Sequence, residues 1–298
     1  MNLSAWTLSA LAASVAERLQ AALDANQLSL GHGTDSAQDE AAWLTLWAAG
    51  LPLDTELDTR ELSAAQGQAV EALLTQRLST RKPLAYLTQE AWLHGLSFHV
   101  DERVIVPRSL IAEPIVDGSL DVWLSEHTQR VLDLCTGNGS LAIIAALTYP
   151  EVRVDAADIS DDALAVAAIN VERHHLSQRI ALHHSDGLQA LSGPYDLILC
   201  NPPYVNQASM DALPQEYRQE PVISLAGGSD GMDFIRPLLR DAPRVLSAHG
   251  VLALEIGHER AHFEAAFPQL NPIWLPTSAG DDQVLLLTRE MLDAEALA

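Results

Sequence analysis

Apolar positions in the first eighty residues recur at helical spacing. Leu8, Leu11, Val15, Leu19 and Leu23 fall on one face of a helix expected over residues 4–25. Gly31 to Gly33 breaks the pattern. A second helix is expected over Ser36–Ala49, started by Ser36 with Asp39 three residues later and ended near Pro52. A third, Ser63–Ser79, carries Val70, Leu73, Leu74 and Leu78 on its face. Three helices before any convincing strand predict a small helical domain over residues 1–82.

The texture changes after Lys82. Leu93–Val100 and Arg103–Val106 read as two short strands with Asp101-Glu102 as their turn, making residues 83–110 a β-hairpin linker closed by Pro107-Arg108-Ser109. Ile111–Leu124 then reads as helix. From Gln129 strands and helices alternate. Strands are expected at Arg130–Cys135, Arg153–Ala157, Arg179–His183, Tyr195–Cys200, Val251–Ile256 and Val284–Thr288. Helices are expected at Ser140–Leu147, after the Ser160 cap, at Gly231–Leu246 and at His258–Phe267. Such alternation over residues 111–298 predicts an α/β domain with a parallel, doubly wound sheet. No internal repeat or low-complexity tract interrupts it.

Composition sharpens this picture in three ways. The 298 residues, 48% of them hydrophobic, suit one α/β domain with a smaller companion and rule out global disorder. Lys+Arg 17 against Asp+Glu 40 gives a net charge of −23, a field that repels nucleic acid and attracts basic proteins, though a source-organism bias toward acidic surfaces gives the same number. The two cysteines, Cys135 and Cys200, both close buried strands and indicate neither a disulfide framework nor a zinc site. No apolar run reaches the roughly 20 residues of a membrane span, and the N-terminus lacks a positive leader, so a cytoplasmic protein is expected.

Two stretches carry candidate chemistry. Asp196-Leu197-Ile198-Leu199-Cys200 is a buried strand that stops at Asn201-Pro202-Pro203-Tyr204. Two prolines cannot continue a sheet ladder, so the chain turns out at the strand's carboxyl end, where open α/β sheets place ligand crevices. An Asn amide, a proline carbonyl and an aromatic ring presented together suit a planar group bearing NH₂. The second stretch, Asp133-Leu134-Cys135-Thr136-Gly137-Asn138-Gly139-Ser140-Leu141-Ala142, is a strand, a glycine turn and a helix start. Gly137 to Ala142 satisfies G-x-G-x-x-A, and Asp158 at the end of the next strand suits ribose hydroxyls, whether of NAD or of S-adenosylmethionine. Asp133 tips the balance, because a carboxylate there suits a cationic amino-acid group and is awkward beside a pyrophosphate. Asp186, after the third strand, suits either an adenine amino group or a turn cap. His258-Glu259-Arg260-Ala261-His262 matches H-E-x-x-H, but with no downstream third ligand it reads as a chance match and no metal is expected. No Walker motif is present, and no nucleophile elbow is expected.

The order strand, glycine turn, acidic strand end, Asn-Pro-Pro-Tyr resembles the class I S-adenosylmethionine methyltransferases that act on amino nitrogens. Arg81-Lys82-Pro83-Leu84-Ala85-Tyr86-Leu87, Val106-Pro107-Arg108-Ser109, Leu132 to Gly139 and Glu216-Tyr217-Arg218-Gln219-Glu220-Pro221 resemble, in order, the bacterial protein-(glutamine-N5) methyltransferases. The resemblance spans roughly residues 65–290. One branch of that family modifies translation release factors and the other modifies ribosomal protein L-three. Cys135, where release-factor enzymes usually carry Gly, and Ser109, where they tend to carry Pro, are similar to the ribosomal branch. Gln89 departs from the glycine usual in its turn.

The resemblance implies a Rossmann-like methyltransferase domain preceded by a helical substrate-recognition domain. It implies S-adenosylmethionine as cofactor, held by Asp133, Gly137, Gly139, Asp158, Asp186 and Asn201. Asn201, Pro202, Pro203 and Tyr204 would act on the substrate: the Asn201 side-chain carbonyl and the Pro202 carbonyl accept the two N–H bonds of the glutamine amide, and Tyr204 walls the slot. Trp123, Glu220 and Glu255 are open between functional and structural roles. The implied partner is ribosomal protein L-three, free or within a ribosome assembly intermediate, with no direct nucleic-acid substrate and no membrane. Competing readings are release-factor methylation, a nucleic-acid amino methyltransferase, a NAD-dependent oxidoreductase and a non-catalytic ribosome-assembly binder.

Overall fold

A computed structural model describes residues 6–293 of the chain. Helix α1 (Leu8–Asp24) starts where the Thr7 hydroxyl accepts the Ala10 N–H; residues 4 and 5 of the expected helix lie outside the described residues. Helix α2 (Ala37–Ala48) is capped by Ser36, and α3 (Ala64–Thr80) by a reciprocal pair in which Ser63 and Gln66 satisfy each other's backbone N–H. The short α4 (Leu84–Thr88) ends at Gln89, whose φ of +54° is the left-handed conformation that favours glycine. Leu8, Leu11, Val15, Leu19, Leu44, Val70 and Leu74 are fully buried in one apolar core.

By internal contacts the chain divides into two units. Among the described residues, those up to Ala91 together with Pro214–Gln219 form the first; Trp92–Leu213 with those from Glu220 onward form the second.

Strands β1 (Glu90–Leu93) and β2 (Leu96–His99) pair as a two-stranded sheet. This corrects the expected hairpin. Its turn is His94-Gly95, with φ of +47° and +77°, rather than Asp101-Glu102. A two-residue turn of this hand needs positive φ at both positions, and Gly95 supplies one readily. Arg103–Val106 is not a strand: Asp101 instead accepts both the backbone N–H and the guanidinium of Arg103, closing a local turn. Nor is Ile111–Leu124 one helix. The short α5 (Ala112–Val116) is broken at Gly118, φ +79°, and a 3₁₀ turn follows at Asp121–Trp123.

The second unit is built on a seven-stranded sheet: β3 (Arg130–Leu134), β4 (Arg153–Asp158), β5 (Ile180–His184), β6 (Tyr195–Cys200), β7 (Leu246–Glu255), β8 (Ile273–Thr277) and β9 (Gly280–Thr288), in the order β5-β4-β3-β6-β7-β9-β8. All pairings from β5 to β7 are parallel, but β9 runs antiparallel to both neighbours, so the sheet is mixed rather than wholly parallel. Strand β8 escaped the sequence reading because Pro276 interrupts it, and proline is tolerated only where β8 sits, at a sheet edge. Helices α6 (Ser140–Thr148) and α7 (Asp161–Arg173) follow β3 and β4. Helix α8 (Gln207–Ala212) follows the proline turn. Helix α9 (Ile235–Asp241) stops short of the expected span at a 3₁₀ turn containing Pro243, and α10 (Arg260–Ala266) follows β7.

Register then places the chemistry. Leu134 pairs with Ala157 on one side and Cys200 on the other, so Cys135, Asp158 and Asn201 all emerge at the same level. Strand order reverses at β3, which makes this end of the sheet the switch-point crevice.

Candidate active site

A cavity opens at that crevice. Among the residues proposed from sequence, Gly137, Asp158, Asp186, Asn201 and Pro203 lie on its wall. Asp133, Gly139, Pro202 and Tyr204 do not.

The glycine turn is shaped for close approach. Gly137 has φ +55° with open space where a side chain would stand, and Gly139 has φ +83° with Ala167 of α7 only 3.3 Å from where its Cβ would be. One glycine leaves room at the wall; the other lets α6 pack on α7. Between them Asn138 is buried, donating to the Ile105 carbonyl at 3.1 Å, while its carbonyl accepts from Asn170 at 2.9 Å. Asn170 is fully buried and also bonds both backbone groups of His99, at 2.7 and 2.9 Å. Sequence reasoning missed this brace, although an Asn on the apolar face of α7 was the available signal.

Asp133 stands one layer behind the wall. Its Oδ2 accepts the Thr136 hydroxyl at 2.6 Å and the Ala142 N–H at 2.9 Å, tying the first turn of α6 to β3. Its Oδ1 is buried with no hydrogen-bond partner among the described residues. Burial pushes this carboxyl up to about 7, with Thr136 and Ala142 pulling the other way. Asp158 accepts the Gly137 N–H at 2.9 Å and the Ser160 N–H at 3.0 Å, and burial raises its carboxyl too. Asp186 accepts from the Gln189 side chain at 3.0 Å and keeps an exposed position at the rim.

At the other side stands the proline turn. No described residue hydrogen-bonds the side chain of Asn201, which reaches the same cavity as Gly137 and Asp158. The Tyr204 hydroxyl donates to Glu255 Oε1 at 3.1 Å. Apolar wall comes from Ile105, Ile159, Ile223 and Phe234, none singled out from sequence. Only Ile159, beside Asp158, had a positional hint. Cys135 is also on the wall, in the left-handed region at φ +61°. Its thiol is held well above its ordinary range, first by the hydrogen bond with Cys200 and then by burial, so it contributes a neutral surface and not a nucleophile. Glu259 of the H-E-x-x-H match is engaged by Asn206 at 2.6 Å and His262 at 2.5 Å, bracing the start of α8.

Residues 119–217 match the family model described as the Methyltransferase small domain. Over 277 residues the chain is 55% identical to a ribosomal protein uL3 glutamine methyltransferase of Bordetella pertussis, covering 91% of this chain and 92% of that protein. The chain belongs to the uL3 glutamine methyltransferase family. Relatives under the same name in Burkholderia pseudomallei and Neisseria meningitidis serogroup B are 51% and 49% identical, over 91% and 90% of this chain and 92% and 89% of theirs. The family's fold is shared by the hMettl16 catalytic domain, solved in complex with MAT2A 3'UTR hairpin 6, at a TM-score of 0.52 and 16% identity, covering 79% of this chain and 86% of that one. Membership in the family carries the methyltransferase assignment over the NAD and non-catalytic readings. Among the described residues no helix is long and apolar enough to cross a membrane.

Proposed function

We propose that this chain methylates the side-chain amide nitrogen of a glutamine in ribosomal protein uL3, the protein called L-three above, using S-adenosylmethionine. The observation that carries the reading is the Asn201 side chain, which has no hydrogen-bond partner among the described residues, on a residue lining the cavity that Gly137 and Asp158 also line.

The residues present fit the cofactor. Asp133 Oδ1 is a buried acceptor with no partner among the described residues, a demand that a cationic group meets, and Gly137 leaves its space open. Asp133 would hold the ammonium, Asp158 the ribose hydroxyls and Asp186 the adenine amino group. S-adenosylmethionine supplies an electrophilic methyl on a positively charged sulfur. The chain's own task is to prepare the nitrogen. A carboxamide nitrogen is a weak nucleophile because its lone pair is delocalised into the carbonyl. The Asn201 side-chain carbonyl and the Pro202 backbone carbonyl accept its two N–H bonds, which orients the lone pair and favours positive charge building on nitrogen. Alignment and fixed dipoles are the principal resources such a site has. The helical region, residues 1–82, is read as the part that recognises the protein substrate, and the −23 charge suits a basic one.

The test is transfer of labelled methyl to purified uL3 and to a release factor, each with its glutamine intact or replaced. Label on uL3 alone, lost with its glutamine, supports the reading. Label on the release factor alone moves the chain's substrate to the sister branch, and label on neither removes the proposed chemistry.

A further inference from the structure

Tyr204 is enclosed by three glycines far apart in sequence. A Cβ on Gly257 would stand 2.5 Å from Cε2 of the Tyr204 ring. One on Gly227 would stand 2.7 Å from the Tyr204 carbonyl carbon, and one on Gly231 would stand 2.3 Å from its oxygen. The next residue is pinned as well: Val205 N–H donates to Leu225 at 2.8 Å, and its carbonyl accepts from Gly227 at 2.9 Å. A real side chain at any of the three glycine positions would push the tyrosine out of place.

The hydroxyl of this tyrosine meets a buried carboxylate. Glu255, at the end of β7, is only 3% exposed. Its Oε2 accepts the Ser109 hydroxyl at 2.6 Å and the Leu110 N–H at 2.9 Å, and its Oε1 accepts the Tyr204 hydroxyl at 3.1 Å. Three donors from two separate segments converge on one side chain. Burying a carboxylate is costly, and an apolar filler of the same shape would often serve stability as well or better. A carboxylate kept here points to a task that apolar packing does not perform.

That task is readable from the chain between. Tyr204 is joined to Asn201 through Pro202 and Pro203, whose rings lock φ near −65°. A stiff dipeptide transmits the placement of Tyr204 to the Pro202 carbonyl and the Asn201 side chain. We propose that Glu255 is a positioning residue for methyl transfer, holding the Tyr204 hydroxyl and, through the two prolines, setting the pair of carbonyls that receive the substrate amide. Ser109 belongs to the same device, since its hydroxyl orients the carboxylate from the far side. This inference rests on the proposed role of Asn201 and Pro202.

The experiment is a double-mutant cycle with Tyr204→Phe, Glu255→Gln and both together, assayed for methyl transfer from S-adenosylmethionine to uL3. Each single change is expected to lower kcat about tenfold or more, with KM for either substrate within about threefold, and the double variant is expected to be no slower than the slower single. Multiplying losses, or Glu255→Gln at the wild-type rate, would overturn the proposal. Should Glu255→Gln fail to fold, Tyr204→Phe decides alone: a kcat loss at unchanged KM supports it and a wild-type kcat overturns it. If the wild type labels a release factor instead of uL3, the substrate assignment fails and the same cycle on that protein still decides the role of Glu255. Label on neither protein overturns both.

Discussion

Arg81 holds Glu216 with two hydrogen bonds, from Nε at 2.9 Å and from Nη2 at 2.6 Å. Glu216 is fully buried and also accepts the Ser29 N–H at 3.0 Å, so a segment that follows the proline turn is anchored within the helical unit. Removing the Glu216 charge takes a hydrogen-bond partner from the partly exposed Arg81 and a neighbouring charge from the buried Arg77, 3.6 Å away, a loss of about 1–3 kcal/mol. Glu216→Gln is therefore expected to lower the melting temperature at neutral pH. Burial is the largest single influence here and works against ionisation, but the hydrogen bonds from Arg81 and from the Glu216 and Ser29 backbone N–H groups, with the Arg81 charge, together outweigh it and hold the carboxyl below its ordinary range. A folded value below the unfolded one, about 4.3, makes the contribution present above that pH and lost as pH falls through the folded value. The gap in melting temperature between wild type and variant should thus narrow as pH falls below the ordinary carboxylate range; a gap that widens with acidification would contradict the assignment.

Asp133 carries the opposite sign. With its carboxyl raised to about 7, the folded chain keeps a proton that the unfolded chain has released, so this site costs stability as pH rises from about 4 to 7. A cation bound at Oδ1 would favour the ionised form and expel that proton. Affinity for S-adenosylmethionine should therefore rise by up to about tenfold per pH unit toward 7, then level and fall as the ligand's own α-amino group titrates near 7.7–8.0. Calorimetric titration across pH checks this. Asp133→Asn should weaken binding and flatten the rising limb; an unchanged limb would remove Asp133 from the cofactor site.

Gly257 has φ +52°, and a methyl group there meets the Tyr204 ring at 2.5 Å. Gly257→Ala is expected to fold, with modest strain, and to lose about tenfold or more in turnover because the ring must move. Steady-state kinetics against uL3 reads it. A variant with unimpaired turnover would show that the ring's place is immaterial.

Asn201→Ala deletes the acceptor that the mechanism depends on. Loss of one preorganised polar group at a reacting centre typically costs about 10²–10³ in rate. The expected result is such a loss in kcat with the dissociation constant for S-adenosylmethionine within a few-fold. Retained turnover would make Asn201 structural.

Local chemistry was readable and long-range contact was not. The proline turn after β6 declares its own exit from the sheet, and Gly137 and Asp158 announce a crevice because both follow buried strands. Strand β8 was hidden by Pro276, and the hairpin was misplaced because His94 adopts a positive φ that nothing in its type demands. The sequence marked Asp133 as a site residue without revealing that it sits one layer behind the wall, its Oδ2 spent on α6. The bonds from Ser109 and Tyr204 to Glu255 span 146 and 51 residues, and no local pattern reports a pairing over such distances.

The most direct measurement is the position of the methyl group. Purified uL3 incubated with this protein and S-adenosylmethionine is digested and fragmented in a mass spectrometer. One methyl is expected on the side-chain amide nitrogen of a single glutamine, absent with Asn201→Ala. A methyl on a lysine, on the N-terminal amine or nowhere would contradict it.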